Sequence, residues 1–203
     1  MYMSGKKIPS ELENPIDNVG YGIGEYLSPY FKKLNFTPNT LTTIGLFSGI
    51  MAIYSYTQKK YIHSVIFYSI SYLFDCFDGY YARKYNMVSK FGSMYDSIKD
   101  TFINFIMSFL IYNKYKNLKD WRYYLQFGVL LFVIPSLIHT GCSEKYYNKQ
   151  EESKILSYQR KFCPTNNKKS IYNIMRITRF GNSVMMFVYV LFLILYSYIL
   201  DKE

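Results

Sequence analysis

Five long apolar runs, separated by short polar and basic stretches, constrain the fold of this chain more than any other feature. Residues 41–57 and 182–200 carry no charged residue, and Gly45 and Gly49 indicate a small-residue face for close helix packing. Uncharged runs of this length are typical of helices that cross a bilayer. The other three runs are residues 61–74, 97–112 and 123–140, the last with Pro135 as an expected kink. The sequence therefore predicts an all-α integral membrane protein, a bundle of five or six transmembrane helices.

An N-terminal segment, residues 1–36, precedes these runs. Within residues 17–34, apolar and aromatic residues recur at helical spacing, but glycines and a proline interrupt the pattern. This indicates an amphipathic helix that lies in the membrane interface instead of crossing the bilayer. Residues 37–203 would then form the membrane domain, whose first helix starts with Thr37 as its cap and Pro38 at its first position.

Four carboxylates fall at helical spacing beside two of the apolar runs. Asp75 and Asp78 lie three residues apart after the second run, and Asp96 and Asp100 lie four apart around the start of the third. Each pair therefore shares one face of a helix. Four such carboxylates repel one another and are costly to desolvate unless a cation lies between them. Because Mg²⁺ and similar hard ions prefer oxygen ligands, the sequence predicts a divalent metal site at a membrane surface, built from two helices.

The residues between the two carboxylate pairs complete a longer pattern. Gly79, Ala82 and Gly92 are small at points where a helix or a ligand can approach closely, and Arg83 offers a planar fork to a phosphate. With the carboxylates they read D-x2-D-G-x2-A-R-x8-G-x3-D-x3-D. This stretch resembles the signature of the CDP-alcohol phosphatidyltransferase family at all eight fixed positions. The letters ARKYN-x-VS within it look most like the phosphatidylinositol synthase branch.

The resemblance implies a transferase of phospholipid biosynthesis, which moves a phosphatidyl group from CDP-diacylglycerol to a small polar alcohol and releases CMP. Asp75, Asp78 and Asp96 would be the main ligands of two Mg²⁺ or Mn²⁺ ions. Asp100 would share this metal site and act as the base that takes the proton of the acceptor hydroxyl, with Asp96 as a second catalytic residue. The predicted substrate-binding residues are Asn39, Thr42, Gly79, Ala82, Arg83, Ser89 and Gly92.

The acceptor alcohol is less constrained than the reaction. Inositol is favoured by the resemblance to one branch, and glycerol 3-phosphate and serine are the alternatives. The basic stretch 145–169 could supply a cation for a phosphorylated acceptor, although a plain basic loop is favoured. Two other functions stay open: an aminoalcohol phosphotransferase that uses CDP-choline or CDP-ethanolamine with diacylglycerol, and a catalytically idle protein that binds CDP-lipid. A cation transporter is disfavoured because the acidic residues cluster at one end of two runs.

The net charge of +10 does not indicate a nucleic-acid partner, because the basic residues lie in short loops and not in one patch. Anionic membrane lipids are the expected partner. Most of the 24 Lys and Arg residues fall on the same side of the predicted topology as the active site. The positive-inside rule therefore predicts that the active site faces the cytoplasm. The membrane would be the endoplasmic reticulum in a eukaryote or the inner membrane in a bacterium. The resemblance also implies a homodimer.

The three cysteines complete the sequence-based expectations. Cys76, Cys142 and Cys163 are odd in number and have no paired-ligand spacing. Neither a zinc site nor a disulfide framework is therefore expected.

Overall fold

The computed structural model describes residues 5–147 and 158–202. Helices make up the regular structure of these residues, and none of them forms a strand. The first four helices are α1 (Pro15–Lys33), α2 (Pro38–Thr57), α3 (Tyr61–Lys84) and α4 (Lys90–Tyr115). A 3-10 helix (Trp121–Phe132) continues into α5 (Val133–Tyr147). A 3-10 turn (Arg160–Phe162) then precedes α6 (Lys168–Thr178). A second 3-10 turn (Arg179–Gly181) joins α6 to α7 (Ser183–Leu200). The prediction of an all-α chain is confirmed.

The start of α2 is fixed by its cap. The Thr37 hydroxyl accepts the Thr40 N–H at 3.2 Å, and the Thr40 hydroxyl accepts the Thr37 N–H at 3.4 Å. Pro38 follows at the first helical position, where its missing N–H costs nothing because no intrahelical partner exists there. The predicted start of this helix is therefore confirmed.

Glycines on α2 let two neighbouring helices approach closely. A Cβ placed on Gly49 would lie 2.7 Å from Cδ1 of Ile103 on α4, and one on Gly45 would lie 3.3 Å from Cβ of Phe74 on α3. The Ser71 hydroxyl also donates to the Gly45 carbonyl at 2.8 Å. These contacts confirm the predicted small-residue face and hold the middle of α3 against α2.

The main apolar core lies where α2, α3, α4 and α7 meet. Its buried tyrosines place their hydroxyl groups on partners, as aromatic residues with a polar end require in a core. The Tyr115 hydroxyl donates to the Leu193 carbonyl at 3.0 Å, and the Tyr56 hydroxyl lies 2.9 Å from the Ser197 hydroxyl. Further members of this core are Ala52, Tyr68, Ile103, Met107, Ile111, Val190 and Ile194.

The N-terminal segment packs on α3 through α1. A Cβ on Gly20 would lie 3.0 Å from Sγ of Cys76, and the Tyr72 hydroxyl donates to Asp17 at 2.6 Å. The opposite face of α1 exposes apolar residues, among them Val19 and Tyr26. A helix therefore forms where the sequence predicts one, and its position in a membrane interface stays a prediction.

Two described segments, Trp121–Tyr147 and Lys168–Leu200, are long and apolar enough to cross a membrane by length and composition. They contain two of the five predicted runs. The other predicted spans, a sixth span and the side of the C-terminus stay predictions. Pro135 lies in the first turn of α5, just after the backbone changes from 3-10 to α geometry. Because proline has no N–H for a helical bond, a change of backbone geometry suits this position.

The cysteine expectation is wrong for one pair. Cys142 on α5 forms a disulfide with Cys163, while Cys76 is a buried thiol. The chain beyond α5 returns to it so closely that a Cβ on Gly141 would lie 2.9 Å from the Cys163 nitrogen. A separation of 21 residues carries no signature of this return in the sequence.

Glu13 provides a stability prediction at the start of α1. Burial, and then Asp17, raise the pKa of this carboxyl from 4.5 to about 7, although three cations oppose the rise: Arg83, Lys7 and Lys6. The folded chain thus keeps a proton that the unfolded chain loses, and stability falls as the pH rises between these two values. We expect Glu13→Gln to increase the unfolding free energy in detergent at pH 8 by up to about 3 kcal/mol, which a higher melting temperature would report. At pH 4.5 the melting temperature should change little. An equal gain at both pH values would attribute the effect to packing and not to ionisation.

Candidate functional site

The carboxylates predicted as metal ligands converge where α3 ends and α4 begins. Asp75 and Asp78 lie on α3, and Asp96 lies on α4. One carboxylate oxygen from each of these three residues lies within 4.8 Å of the other two. A donor set made only of carboxylate oxygens at this spacing fits a hard divalent ion. The structure therefore brings together three of the four predicted ligands around one point.

Lys99 contacts the fourth carboxylate, Asp100, together with two of the other three. Its ammonium donates to Oδ1 of Asp75 at 2.6 Å and to Oδ1 of Asp96 at 3.0 Å, and it lies 3.0 Å from Oδ1 of Asp100. No role was predicted for this lysine. The available signal was its position three residues after Asp96, which places both side chains on one face of α4.

The Thr42 hydroxyl reaches the cluster from α2. It donates to Oδ2 of Asp78 at 2.5 Å and lies 3.1 Å from the Pro38 carbonyl. Asp78 is buried, whereas Asp75 and Asp96 are partly exposed. Thr42 therefore contacts a predicted metal ligand and orients its carboxylate.

A cavity of about 340 Å³ opens on the Asp78 and Asp96 side of the cluster. Its volume falls within the range of small-molecule sites. The structure brings all of the predicted substrate-binding residues to its wall: Asn39, Thr42, Gly79, Ala82, Arg83, Ser89 and Gly92. We refer to this space as the larger cavity.

Close packing shapes one wall of the larger cavity. The Ser89 hydroxyl accepts the Gly92 N–H at 3.0 Å and caps α4. A Cβ on Gly92 would lie 3.0 Å from this hydroxyl and equally close to Oδ1 of Asn39. Glycine at position 92 therefore lets α2 and the start of α4 approach each other. The Ser89 hydroxyl acts as the N-cap of α4.

Arg83 is held in the larger cavity by the N-terminal segment. Its Nε donates to the Gly5 carbonyl at 2.7 Å, and its guanidinium lies 5.9 Å from the Tyr21 ring centroid. A Cβ on Gly79 would lie 3.1 Å from Nη1 of Arg83. The guanidinium thus lies along α3, one turn beyond Asp78.

A smaller cavity, about 170 Å³, lies on the other side of the cluster and is lined by Asp75 and Asp100. Among the residues that the structure describes, the remaining polar lining consists of hydroxyl groups and one amide, without a lysine or arginine. These residues are Tyr68, Ser71, Tyr72, Asn104, Ser108 and Ser183. They were not predicted because they come from α3, α4 and α7, and no local pattern shows that these helices meet here.

The comparison with known families settles the class of protein. The family model described as CDP-alcohol phosphatidyltransferase matches residues 35–200, which include both carboxylate pairs. The chain belongs to the CDP-alcohol phosphatidyltransferase family. This confirms the resemblance predicted from the D-x2-D-G-x2-A-R-x8-G-x3-D-x3-D pattern.

Curated relatives match parts of the chain. An archaetidylinositol phosphate synthase of Pyrococcus horikoshii is 31% identical over 94 residues, 46% of each chain. A CDP-diacylglycerol–inositol 3-phosphatidyltransferase of Candida albicans is 32% identical over 65 residues, 32% of this chain and 28% of that protein. An uncharacterized protein of Aquifex aeolicus is 34% identical over 79 residues, 38% and 40% respectively. The chain thus spans less than half the length of each of these relatives. No solved structure matches it.

Proposed function

We propose that this chain is a membrane-embedded transferase that moves a phosphatidyl group from CDP-diacylglycerol to inositol and releases CMP. The observation that carries the proposal is the carboxylate cluster between two cavities, the larger of which is lined by every predicted substrate-binding residue. Family membership supports the reaction class. Two relatives named for archaetidylinositol phosphate synthesis or inositol transfer support an inositol-based acceptor.

The larger cavity suits the CDP part of the donor. Arg83, anchored through Gly5, is the guanidinium best placed to meet a phosphate, and such pairs form strong charge-assisted bonds. Gly79 and Gly92 keep the backbone surface open for a close approach, and Asn39 adds an amide to the same wall. The donor would therefore lie with its diphosphate toward Asp78 and Asp96.

The carboxylates of Asp75, Asp78 and Asp96 would hold Mg²⁺ or Mn²⁺. Such an ion, when bound, neutralises a diphosphate and polarises the phosphorus under attack. Thr42 fixes the rotamer of Asp78 and thereby the direction of its free carboxylate oxygen. Asp96 serves both as a ligand and as a wall of the larger cavity.

The smaller cavity suits the acceptor. Asp100 lines it and would take the proton of the acceptor hydroxyl, whose oxygen attacks the phosphatidyl phosphorus. The new oxygen–phosphorus bond forms as the bond to CMP breaks, and CMP leaves with the electron pair. A neutral polyol fits a lining of hydroxyl and amide groups. Glycerol 3-phosphate or serine would bring a further anionic group next to the Asp75 and Asp100 carboxylates, whose charges Lys99 already pairs.

The membrane placement belongs to the same proposal. The chain would span the bilayer five or six times as a homodimer, with α1 in the interface and the site facing the cytoplasm. The acyl chains of the donor then stay in the bilayer, which avoids a cost of about 0.8 kcal/mol for each CH₂ lifted into water. The membrane would be the endoplasmic reticulum of a eukaryote or the inner membrane of a bacterium.

The test is CMP release by purified protein in liposomes that contain CDP-diacylglycerol and Mg²⁺. Inositol, glycerol 3-phosphate and serine are added in turn, with a reaction lacking acceptor as the control. We expect release with inositol. Release only with CDP-choline or CDP-ethanolamine and diacylglycerol would identify an aminoalcohol phosphotransferase instead. A folded protein that releases no CMP from any donor would be the idle CDP-lipid binder.

Thr42→Val should weaken the reaction without removing it. The change leaves the buried Asp78 carboxylate without its hydroxyl donor, a loss of about 1.5–3 kcal/mol for a bond to a charged group. We expect CMP release to fall roughly 10- to 100-fold at saturating substrate. Thr42→Ser, which keeps the hydroxyl, should retain most of the activity, and equal losses in both variants would contradict the role of this hydrogen bond.

A further inference from the structure

Lys99 is the most deeply buried charged group beside the carboxylate cluster. Its side chain is 1% exposed, whereas those of the three carboxylates that it contacts are 30–45% exposed. Burying an ammonium is costly unless paired groups replace its water. Here Asp75, Asp96 and Asp100 each place an oxygen within 3.0 Å of Nζ. The lysine is therefore part of the cluster and not a surface residue that happens to reach it.

The packing around Lys99 leaves room for its ammonium. Gly45 on α2 faces it, and a Cβ at that position would lie 3.9 Å from Nζ. The Ser71 hydroxyl bonds the Gly45 carbonyl at 2.8 Å, so this oxygen already has a donor. Carboxylates on one side and the close α2–α3 contact on the other enclose the ammonium.

The ammonium and a metal ion cannot occupy the same position among these oxygens. A Mg²⁺ ion bound to the three carboxylates would lie about 2.1 Å from each oxygen, in the space that Nζ fills at 2.6–3.0 Å. Asp78 is different, because its carboxylate bonds Thr42 and no ion pair with Lys99 is found within 4.0 Å among the described residues. One oxygen each of Asp75, Asp78 and Asp96 lies within 4.8 Å of the other two, which defines a second face of the cluster with Asp78 in place of Asp100.

We propose that Lys99 is a built-in cation that fills the Asp75, Asp96 and Asp100 face, so that this chain binds a single divalent ion on the Asp75, Asp78 and Asp96 face. The ion then lies beside the larger cavity, and the ammonium lies toward the smaller one. This proposal rests on the metal dependence in the proposed function, and it differs from the two ions that the family resemblance implies. Lys99 would act as a positioning residue that keeps Asp100 directed toward the acceptor.

The experiment counts ions and does not depend on turnover. Metal-free protein in detergent is titrated with Mn²⁺, and free Mn²⁺ is measured by electron paramagnetic resonance. We expect one Mn²⁺ per wild-type chain and two per Lys99→Met chain, because removal of the ammonium opens the second face. Lys90→Met, which changes an exposed lysine on the same helix, is the matched control and should bind one.

Two ions on the wild type would overturn the proposal whatever the variant does, and so would one ion on a folded Lys99→Met protein. Melting temperatures give a second readout. Without its internal cation, Lys99→Met should melt well below the wild type in EDTA and recover more than the wild type does on addition of Mn²⁺. Equal Mn²⁺ shifts in the two proteins would also overturn it.

CMP release in the same preparations separates this proposal from the proposed function. An active wild-type protein that binds two Mn²⁺ would leave the transferase intact and exclude the role of Lys99. A wild-type protein that binds one Mn²⁺ but releases no CMP from any donor would exclude the transferase and leave the role of Lys99 standing.

Discussion

Asp100→Asn is expected to lower CMP release from CDP-diacylglycerol by roughly 10²- to 10⁴-fold, the range over which a positioned general base contributes. Asn has nearly the same shape as Asp but cannot take the proton of the acceptor hydroxyl. The carboxylate lines the smaller cavity and contacts Lys99, so the loss should appear in the turnover rate at saturating acceptor. CMP release in liposomes, with acceptor concentration varied, measures this loss.

Asp120→Asn is the matched control for this loss. Asp120 caps the 3-10 helix far along the chain by accepting the Arg122 N–H at 2.9 Å, and asparagine caps a helix about as well. The control should retain full CMP release. Activity in Asp100→Asn close to that of the control would exclude Asp100 as the base.

Gly141→Ala is expected to give the largest loss of stability from the addition of a single methyl group. The new Cβ would lie 2.5 Å from the Gln159 carbonyl oxygen and 2.9 Å from the Cys163 nitrogen. Both are backbone atoms, which cannot rotate away as a side chain can. We expect a loss of about 1–3 kcal/mol, or a melting temperature lower by roughly 2–12 °C for a chain of this length. Thermal unfolding in detergent measures the shift.

Gly22→Ala is the matched control for the glycine change. Gly22 lies in α1 with no neighbouring atom within 4 Å of its ideal Cβ, and alanine is the better helix former. Its melting temperature should equal or slightly exceed that of the wild type. Equal melting temperatures for Gly141→Ala and Gly22→Ala would show that the chain beyond α5 does not pack on Gly141.

Local sequence patterns predicted most of the helices, but not α6, and much of the candidate site. The Thr37 cap and Pro38 are read from neighbouring residues, so the start of α2 follows directly. Asp75 and Asp78 share one helix face because of their spacing, and the family signature then indicated that Asp96 joins them. The predicted substrate-binding residues lie within two short stretches, and a single contact between α2, α3 and α4 brings both stretches to the larger cavity.

Features that depend on distant packing were not predicted. Lys99 looks like any basic residue near a membrane until Asp75, from another helix, is placed beside it. The smaller cavity requires α7 to meet α3 and α4, which no spacing along the chain encodes. The bond between Cys142 and Cys163 likewise requires the chain to return to α5. In each case the missing information is which helix faces which.

The identity of the lipid product tests the central claim most directly. The protein is reconstituted in liposomes with CDP-diacylglycerol and Mg²⁺, supplied with deuterated inositol, and the extracted lipids are analysed by mass spectrometry. The proposed function predicts deuterated phosphatidylinositol in an amount equal to the CMP released, and a loss of both products by roughly 10²- to 10⁴-fold with Asp100→Asn. CMP accompanied by phosphatidic acid without deuterium would show hydrolysis in place of transfer and would contradict the assignment of an inositol acceptor.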